Sequence, residues 1–251
     1  MKWILRFFPR SLLIRMSLFF RPLFRIYYKG NQFTDPIDGS RYRKFLPYGY
    51  GNTLRPNALC PGTLSLERHR LLWLYLERKT GFLSQKLKVL HVAPEQVFYH
   101  KFKPFKHWEY TTTDLHSPLA DVKADICNLP FPDDQYDLIL CNHVLEHIPD
   151  DLKAMAELYR VLKKDGILIA QVPLDEESEK TFEDDTITEI DKRTKAFGQY
   201  DHVRVYGQDY YHRLESVGFS TERIFIQKDL TLEEMTRFAL PQQEKIPLMR
   251  K

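Results

Sequence analysis

The chain has 251 residues, 43% hydrophobic and 28% charged, the size and composition of one sizeable α/β domain with an extension. A net charge of only +3 excludes a wholly basic nucleic-acid binder, and no stripe of interleaved aromatic and basic residues marks a nucleic-acid groove. The three cysteines, Cys60, Cys127 and Cys141, are scattered, which excludes a disulfide framework and fits a reducing, cytoplasmic compartment.

The charge is unevenly placed. Residues 1–34 hold Lys2, Arg6, Arg10, Arg15, Arg21, Arg25 and Lys29 and no acid, and removing these seven charges from +3 leaves the rest at −4. Single arginines break the apolar runs, so no run approaches the roughly 18–20 uncharged residues of a spanning helix. No small-residue cleavage site follows, as a secretory signal requires. Arginines spaced among Trp3, Phe7, Phe8, Phe19 and Phe20 fit one or two helices lying on an anionic membrane surface through residues 1–29, on the cytoplasmic face. The competing reading is an arm that packs on its own domain or on a second subunit. Pro9 and Pro22 break or kink either one.

Residues 31–85 read as a loop-rich front module followed by a helix. Asp35-Pro-Ile-Asp38 and Cys60-Pro-Gly-Thr63 resemble the knuckles of a zinc ribbon. Two hard carboxylates, one thiol and a hydroxyl make a poor zinc site, so two proline-containing turns and no metal are expected. Residues 65–81 predict a helix, with Ser65 as N-cap, an apolar stripe of Leu66, Leu71, Leu72, Tyr75 and Leu76, and Gly81 as its stop. His69 lies between Arg68 and Arg70 and reads as solvated or packed, not catalytic.

From Lys86 the pattern alternates strands with helices. KVLHVA (88–93) is a continuous apolar run, the mark of a buried parallel strand. EQVFYHKF is a short helix, and WEYTTTD (108–114), VKADI (122–126) and YDLILCN (136–142) are three further strands. PDDLKAMAELYRVLKKDG (149–166) is amphipathic: Pro149 opens it, Asp150 and Asp151 suit its first turn, and Lys163, Lys164 and Gly166 suit its end. ILIAQVP (167–173) is a fifth strand, QDYYHRLESVGF (208–219) a helix, STERIFIQ a sixth strand and EKIPLMRK (244–251) a last one, in which Pro247 is awkward for an interior position. Strands alternating with helices predict a Rossmann-like, doubly wound, mostly parallel sheet.

Such sheets bind ligands beyond the carboxyl ends of their strands. Glu95 follows the first strand, Asp114 ends the second, Asp125 ends the third, and Asn142 and His143 end the fourth. Asp114 stands about 20 residues after the first turn, the spacing at which an acid reaches ribose hydroxyls in dinucleotide folds. Four polar strand ends together point to a nucleoside site. One feature is discordant: the first turn has no glycine, although a side chain there obstructs a ligand.

The run ADICNLPFPDDQYDLILCNHVLEHIPDDLKAMAELYRVLKKDGILIAQVP combines L-P-F-x-x-x-x-Y-D, H-V-L-E-H and E-x-x-R-V-L-K-x-x-G. In that combination the chain resembles a class I S-adenosylmethionine-dependent methyltransferase from about Lys86 to its end, in a subgroup with a VLHVAPE-like turn. The resemblance implies a seven-stranded sheet and S-adenosylmethionine as cofactor. It implies that Ala93, Pro94 and Glu95 face the methionine part, Asp114 holds the ribose, and Leu115 packs on adenine. Asp125 then reaches the adenine amino group, Ile126 lies against the ring, and Asn142 and His143 sit near the sulfonium. Where the family has Gly-x-Gly this chain has Ala-Pro-Glu, and the acid usual in the first strand is His91. The acidic connection 173–207 takes the place of the family's substrate cover, the alternative being a solvated loop.

The expected organisation is a basic amphipathic arm (1–30), a front module with its helix (31–85) and a methyltransferase domain (86–251). The expected reaction moves a methyl group to an oxygen or nitrogen of a small-molecule, lipid-linked or sugar-linked acceptor. His143 and His202 are the candidate bases, because histidine titrates near neutral pH; a structural or cofactor-contacting role is the alternative for each. Arg204 and Tyr206 follow His202 towards the same region. A non-catalytic nucleoside-binding relative is the second reading, favoured by the missing glycines. His143-Val-Leu-Glu-His147 also spells the H-x-x-E-H of zinc peptidases, but it directly follows a buried strand, which leaves His147 as a packed or capping residue. A nicotinamide dehydrogenase lacks its G-x-G-x-x-G here.

Overall fold

The computed structural model describes residues 22–49 and 54–251. Most of the basic arm expected over 1–30 lies outside the described residues; at its end, 22–27 are helical, with Leu23, Ile26 and Tyr27 exposed. No described helix is long and apolar enough to cross a membrane. The chain divides into two units, one of residues up to Thr80 with Ile226–Glu244, the other of Gly81–Phe225 with Lys245–Lys251.

In the first unit, β1 (Lys29–Thr34) pairs with β2 (Arg41–Tyr42) and β3 (Leu46–Tyr48) with β4 (Arg55–Leu59), both antiparallel. The two proline-containing turns are clasped by one buried carboxylate. Asp35 accepts from the Ile37 amide at 2.9 Å, from the Ser65 hydroxyl at 2.7 Å and from the Thr63 hydroxyl. That use of Ser65 displaces it from the expected N-cap. Helix α1 (Glu67–Lys79) starts after Leu66, whose amide donates to His69 Nδ1 at 3.0 Å. A buried guanidinium then ties the front of the chain to a segment some 170 positions later: Arg70 donates to the carbonyls of Ala58, Ser65, Phe238 and Ala239 at 2.7–3.0 Å. Residues 226–244, expected within the domain 86–251, therefore cluster with the front module, and they carry a short helix, Leu232–Arg237.

The second unit holds a seven-stranded sheet, built on β5 (Leu87–Val92), whose Val89–Val92 are buried without a break. β5 runs parallel to β6 (Trp108–Asp114) on one side and to β8 (Tyr136–Cys141) on the other, with β7 (Val122–Lys123) beyond β6. Chain order places β6 and β7 to one side of β5 and the later strands to the other, so the winding reverses between β5 and β8. The full order is β12-β13-β9-β8-β5-β6-β7, with β9 (Leu162–Ile169), β12 (Ser220–Ile224) and β13 (Ile246–Arg250). Only β13 runs antiparallel to its neighbours. Its pairing with β9 begins at Leu248, past the awkward Pro247.

Helix α2 (Gln96–Phe102) buries Val97, Phe98 and Phe102, with the last two rings stacked at 5.3 Å. Helix α3 (Asp151–Val161) buries Ala154, Met155, Leu158 and Val161 on one stripe, and Asp150 caps it by accepting from the Lys153 amide. It ends five residues before the expected Gly166, because Leu162 is drawn into the sheet opposite Tyr136. The pairing resumes at Ile167 opposite Leu138, and Asp165 turns the intervening residues at φ 62°. The third strand is shorter than expected and stops at Lys123, leaving Asp125 in the following turn. The connection 173–207 has structure of its own: β10 (Phe182–Glu183) pairs with β11 (Arg204–Val205) around helix α4 (Ile190–Phe197). Helix α5 (Tyr210–Ser216) follows, then Gly218 at φ 115°, where an added Cβ would meet the Tyr159 ring.

Candidate functional site

The carboxyl ends of β5, β6, β8 and β9 converge where the strand order reverses. After β5 the chain turns at Ala93, which adopts φ 47° and donates its amide to the Thr113 carbonyl at 2.8 Å. The left-handed turn that glycine normally takes is thus made by the smallest side chain available. Pro94 is buried behind it, and Glu95 is the N-cap residue of α2. Glu95 reaches back one turn: its Oε2 lies 2.7 Å from Nε2 of the fully buried His91, whose Nδ1 meets the Tyr110 hydroxyl at 2.7 Å. A carboxylate is therefore delivered to the end of this strand from the helix side, although the strand itself carries His91. Burial and the Glu95 charge both push the Tyr110 hydroxyl pKa up, so it remains a proton donor.

At the end of β6, Asp114 Oδ1 accepts from the amides of His116 and Ser117 at 2.7 and 2.5 Å. The carboxylate is held by a turn it caps itself, with Oδ2 outside these bonds. Leu115, the next residue, is 54% exposed, an apolar side chain without a core to enter. Asp125 is exposed and accepts from the Cys127 amide at 2.9 Å, whereas Ile126 is buried. The structure thus places Asp114 and Leu115 together at one strand end and Asp125 and Ile126 in the turn after β7.

The end of β8 is different in kind, because its polar groups are buried and unspent. Asn142 is 2% exposed; its Oδ1 accepts from the Gln171 amide at 3.3 Å and its Nδ2 has no partner. Gln171, just past β9, has neither side-chain atom satisfied. His143 takes φ 54° and donates its amide to the Gln171 carbonyl at 2.7 Å. Its Nδ1 lies 3.3 Å from Glu146 Oε1 and its Nε2 is buried without a partner. Buried polar atoms are nearly always paired, so these unspent donors and acceptors at one strand end make it the candidate position for a ligand or bound water.

His202 reaches the same place from the far end of the acidic connection. It is 3% exposed, with Nδ1 against the Phe197 carbonyl at 3.1 Å and Nε2 without a partner. Burial lowers its pKa, with Glu146 opposing. Its ring meets the His147 ring edge-on at 4.7 Å. His143 and His202, the two expected bases, both converge on Glu146. Burial raises the Glu146 pKa, but the His143 contact outweighs it and holds the carboxyl below its ordinary value. In the sequence Glu146 stands only as the acid of the H-x-x-E-H match. Its signal was present as an acid between two histidines, but only the fold shows it buried and facing His202.

The segment carrying His202 is strapped down by its own residues. The Val203 amide donates to the Glu146 carbonyl at 3.0 Å. Arg204 donates to the carbonyls of Leu145, Ile148 and Pro149, and the Tyr206 hydroxyl to Asp151 at 2.7 Å. Arg204 and Tyr206 are therefore anchors of the strap rather than ligand contacts.

Comparison with known proteins agrees with this geometry. Residues 96–170 match the methyltransferase domain family, starting just after the glycine-free turn. The uncharacterized methyltransferase YcgJ of Bacillus subtilis is 51% identical over 39 residues, covering 16% of this chain and 15% of that protein. A demethylmenaquinone methyltransferase of Staphylococcus saprophyticus is 38% identical over 58 residues, covering 23% and 24%. The chain thus spans about a fifth of the length of the curated relatives it matches. Among solved structures, the 4+2 cyclase SpnF aligns over 82% of this chain and 75% of its own at a TM-score of 0.51 and 17% identity, which shows the fold alone. On residues 96–170, the mostly parallel seven-stranded sheet and its polar strand ends, the chain is similar to class I S-adenosylmethionine-dependent methyltransferases.

Proposed function

We propose that the protein moves a methyl group from S-adenosylmethionine to an oxygen or nitrogen of a small-molecule, lipid-linked or sugar-linked acceptor. The observation that carries this reading is the set of unspent buried polar atoms on Asn142, His143, Gln171 and His202 at the carboxyl ends of β8 and β9. They lie at the reversal of strand order, where α/β sheets take their ligands.

The residues fit the cofactor. The Ala93 turn keeps side-chain bulk low where the chain must approach the methionine part, with Pro94 and Glu95 beside it. Asp114 would offer Oδ2 to ribose hydroxyls, Leu115 would offer an exposed apolar face to adenine, Asp125 would accept from the adenine amino group, and Ile126 would pack against the ring. The bound cofactor supplies an already activated methyl group, so the protein's work is alignment and exclusion of water. Asn142 Nδ2 and the Gln171 amide orient what lies over the strand end. His143 Nε2 is the atom placed to take a proton from an acceptor, its orientation fixed by Glu146 at Nδ1.

Asp114→Ala is expected to weaken S-adenosylmethionine binding by about 1.5–3 kcal/mol, from loss of charge-assisted hydrogen bonds. Calorimetry reads this as a rise in Kd of roughly tenfold to hundredfold, and an unchanged Kd removes the ribose assignment. The second reading, a nucleoside-binding relative without catalysis, is favoured by the glycine-free turn. It predicts cofactor binding with no S-adenosylhomocysteine released across a metabolite screen.

The composition of the arm supports a membrane-linked acceptor. Seven cations over residues 1–34 attract an anionic surface by about 1 kcal/mol per charge near it. Full-length protein is expected to float with anionic vesicles at low salt, and a chain starting at Asn31 is not. Equal behaviour of the two removes the membrane-linked acceptor.

A further inference from the structure

The geometry points to a divalent transition-metal site formed by Glu146, His147 and His202. One ligand atom from each of the three residues lies within 4.8 Å of the other two. This departs from the sequence expectation of no metal, and it is not the H-x-x-E-H arrangement. That motif pairs His143 with His147 on one helix face, whereas His143 here is in a left-handed turn at φ 54° and pairs with Glu146 instead.

Two independent features make these residues a ligand set and not a chance cluster. First, the atoms are unspent: His202 Nε2 is buried without a partner, and both Glu146 oxygens are buried with only the His143 contact. Second, each imidazole is already oriented from behind. His202 Nδ1 lies 3.1 Å from the Phe197 carbonyl, and His147 Nδ1 lies 3.1 Å from the Asp201 carbonyl and 3.6 Å from its carboxylate. A carbonyl or carboxylate on one ring nitrogen fixes the tautomer that leaves the other as a metal ligand, which is the usual outer shell of a metal-binding histidine. His143 plays the corresponding part for Glu146.

Two imidazoles and one carboxylate suit zinc, cobalt or iron better than magnesium or calcium, which prefer all-oxygen sets. Tetrahedral ligands at about 2.0–2.2 Å stand roughly 3.4 Å apart. The side chains therefore need to close by up to about 1.4 Å, within reach of χ adjustments. Three protein ligands leave at least one position open, and an open position on such a metal takes an oxygen ligand and lowers its pKa. If the methyl transfer proposed above holds, on which this further step rests, the oxygen is a hydroxyl of the acceptor, held beside His143.

The test uses the full chain stripped with chelator and titrated with Co²⁺. One Co²⁺ per chain is expected, with visible d–d absorption that Zn²⁺ abolishes. His202→Ala and Glu146→Gln are each expected to weaken binding at least about tenfold, while His212→Ala, at an exposed histidine, leaves it unchanged. X-ray absorption on the Zn²⁺-loaded wild-type protein is expected to count two imidazoles, a readout that does not depend on any variant folding. Binding below one metal per chain, a count other than two imidazoles, or His212→Ala weakening binding as much as His202→Ala overturns the site. Calorimetry with S-adenosylmethionine on the stripped protein separates the two proposals. Cofactor binding without metal binding overturns only the site, and metal binding without cofactor binding overturns only the methyltransferase reading.

Discussion

Arg70→Ala is expected to destabilise the unit formed by the front of the chain and residues 226–244 by about 3–5 kcal/mol. The guanidinium is fully buried and donates to four carbonyls and to the Ser65 hydroxyl. It also lies over the Phe45 ring at 4.8 Å. Burial lowers its pKa while the nearby Asp35 carboxylate acts against that. Removing it takes a donor from the buried Ala58 carbonyl and from the part-buried Phe238 and Ala239 carbonyls, leaves the Ser65 carbonyl only the Cys60 amide at 2.9 Å, and removes a cation that interacts with Asp35; each orphaned group carries its own desolvation penalty. Arg70→Lys is expected to recover little, because three donors on one nitrogen cannot span carbonyls at positions 58, 65, 238 and 239. Thermal melting and amide exchange over 226–244 read the effect. Arg70→Ala melting within 1 kcal/mol of wild type would show that the carbonyls find other donors and that the segment is held by its apolar contacts alone.

The same residue shows what was legible in the sequence and what was not. Periodicity identified α1, since Leu71, Leu72 and Leu76 recur on one stripe, but it cannot say which carbonyls a buried arginine reaches 168 or 169 positions away. The assignment of 226–244 to the front unit was invisible for that reason. β5, β6 and β8 were readable because a continuous apolar run has few alternatives once helices flank it. Asp114, Asn142 and His143 were readable because strand ends are where polar residues must appear. The helix ending at Val161 was overrun, because Lys163, Lys164 and Gly166 make a plausible terminus and only the sheet shows Leu162 paired with Tyr136. Ser65 was read as an N-cap because local chemistry favours it, and a tertiary carboxylate, Asp35, took its hydroxyl instead. Glu146 entered only as the acid of an H-x-x-E-H match that its place after a buried strand argues against. Its burial depends on the strap from 202–206, which no local pattern encodes.

Asp151→Ala is expected to cost the unit that holds the seven-stranded sheet about 3–5 kcal/mol and to loosen that strap. Asp151 opens α3, where its charge suits the helix N-terminus, but it is 2% exposed and its carboxylate has a second use. Arg213 donates to it from Nε at 2.9 Å and Nη2 at 2.6 Å, and the Tyr206 hydroxyl adds a third bond at 2.7 Å. Arg204 lies 3.8 Å away. Burial lowers the Arg213 pKa, and the Asp151 hydrogen bonds outweigh it and hold the guanidinium above its ordinary value. Without Asp151, two cations and a tyrosine hydroxyl face one another with Glu183 as the nearest remaining acid, 2.9 Å from Arg204 and 3.4 Å from Arg213. The consequence reaches the candidate site. Arg204 and Tyr206 are the anchors that hold 202–206 over the carbonyls of Leu145, Ile148 and Pro149, and this places His202 against Glu146 and His147. Exchange protection of the Val203 amide, which donates to the Glu146 carbonyl, should therefore fall together with the melting temperature. Asp151→Asn keeps the shape and one acceptor, and should show a smaller version of both effects. A Val203 amide as protected in Asp151→Ala as in wild type would mean that Arg204 holds the strap through its carbonyl contacts alone.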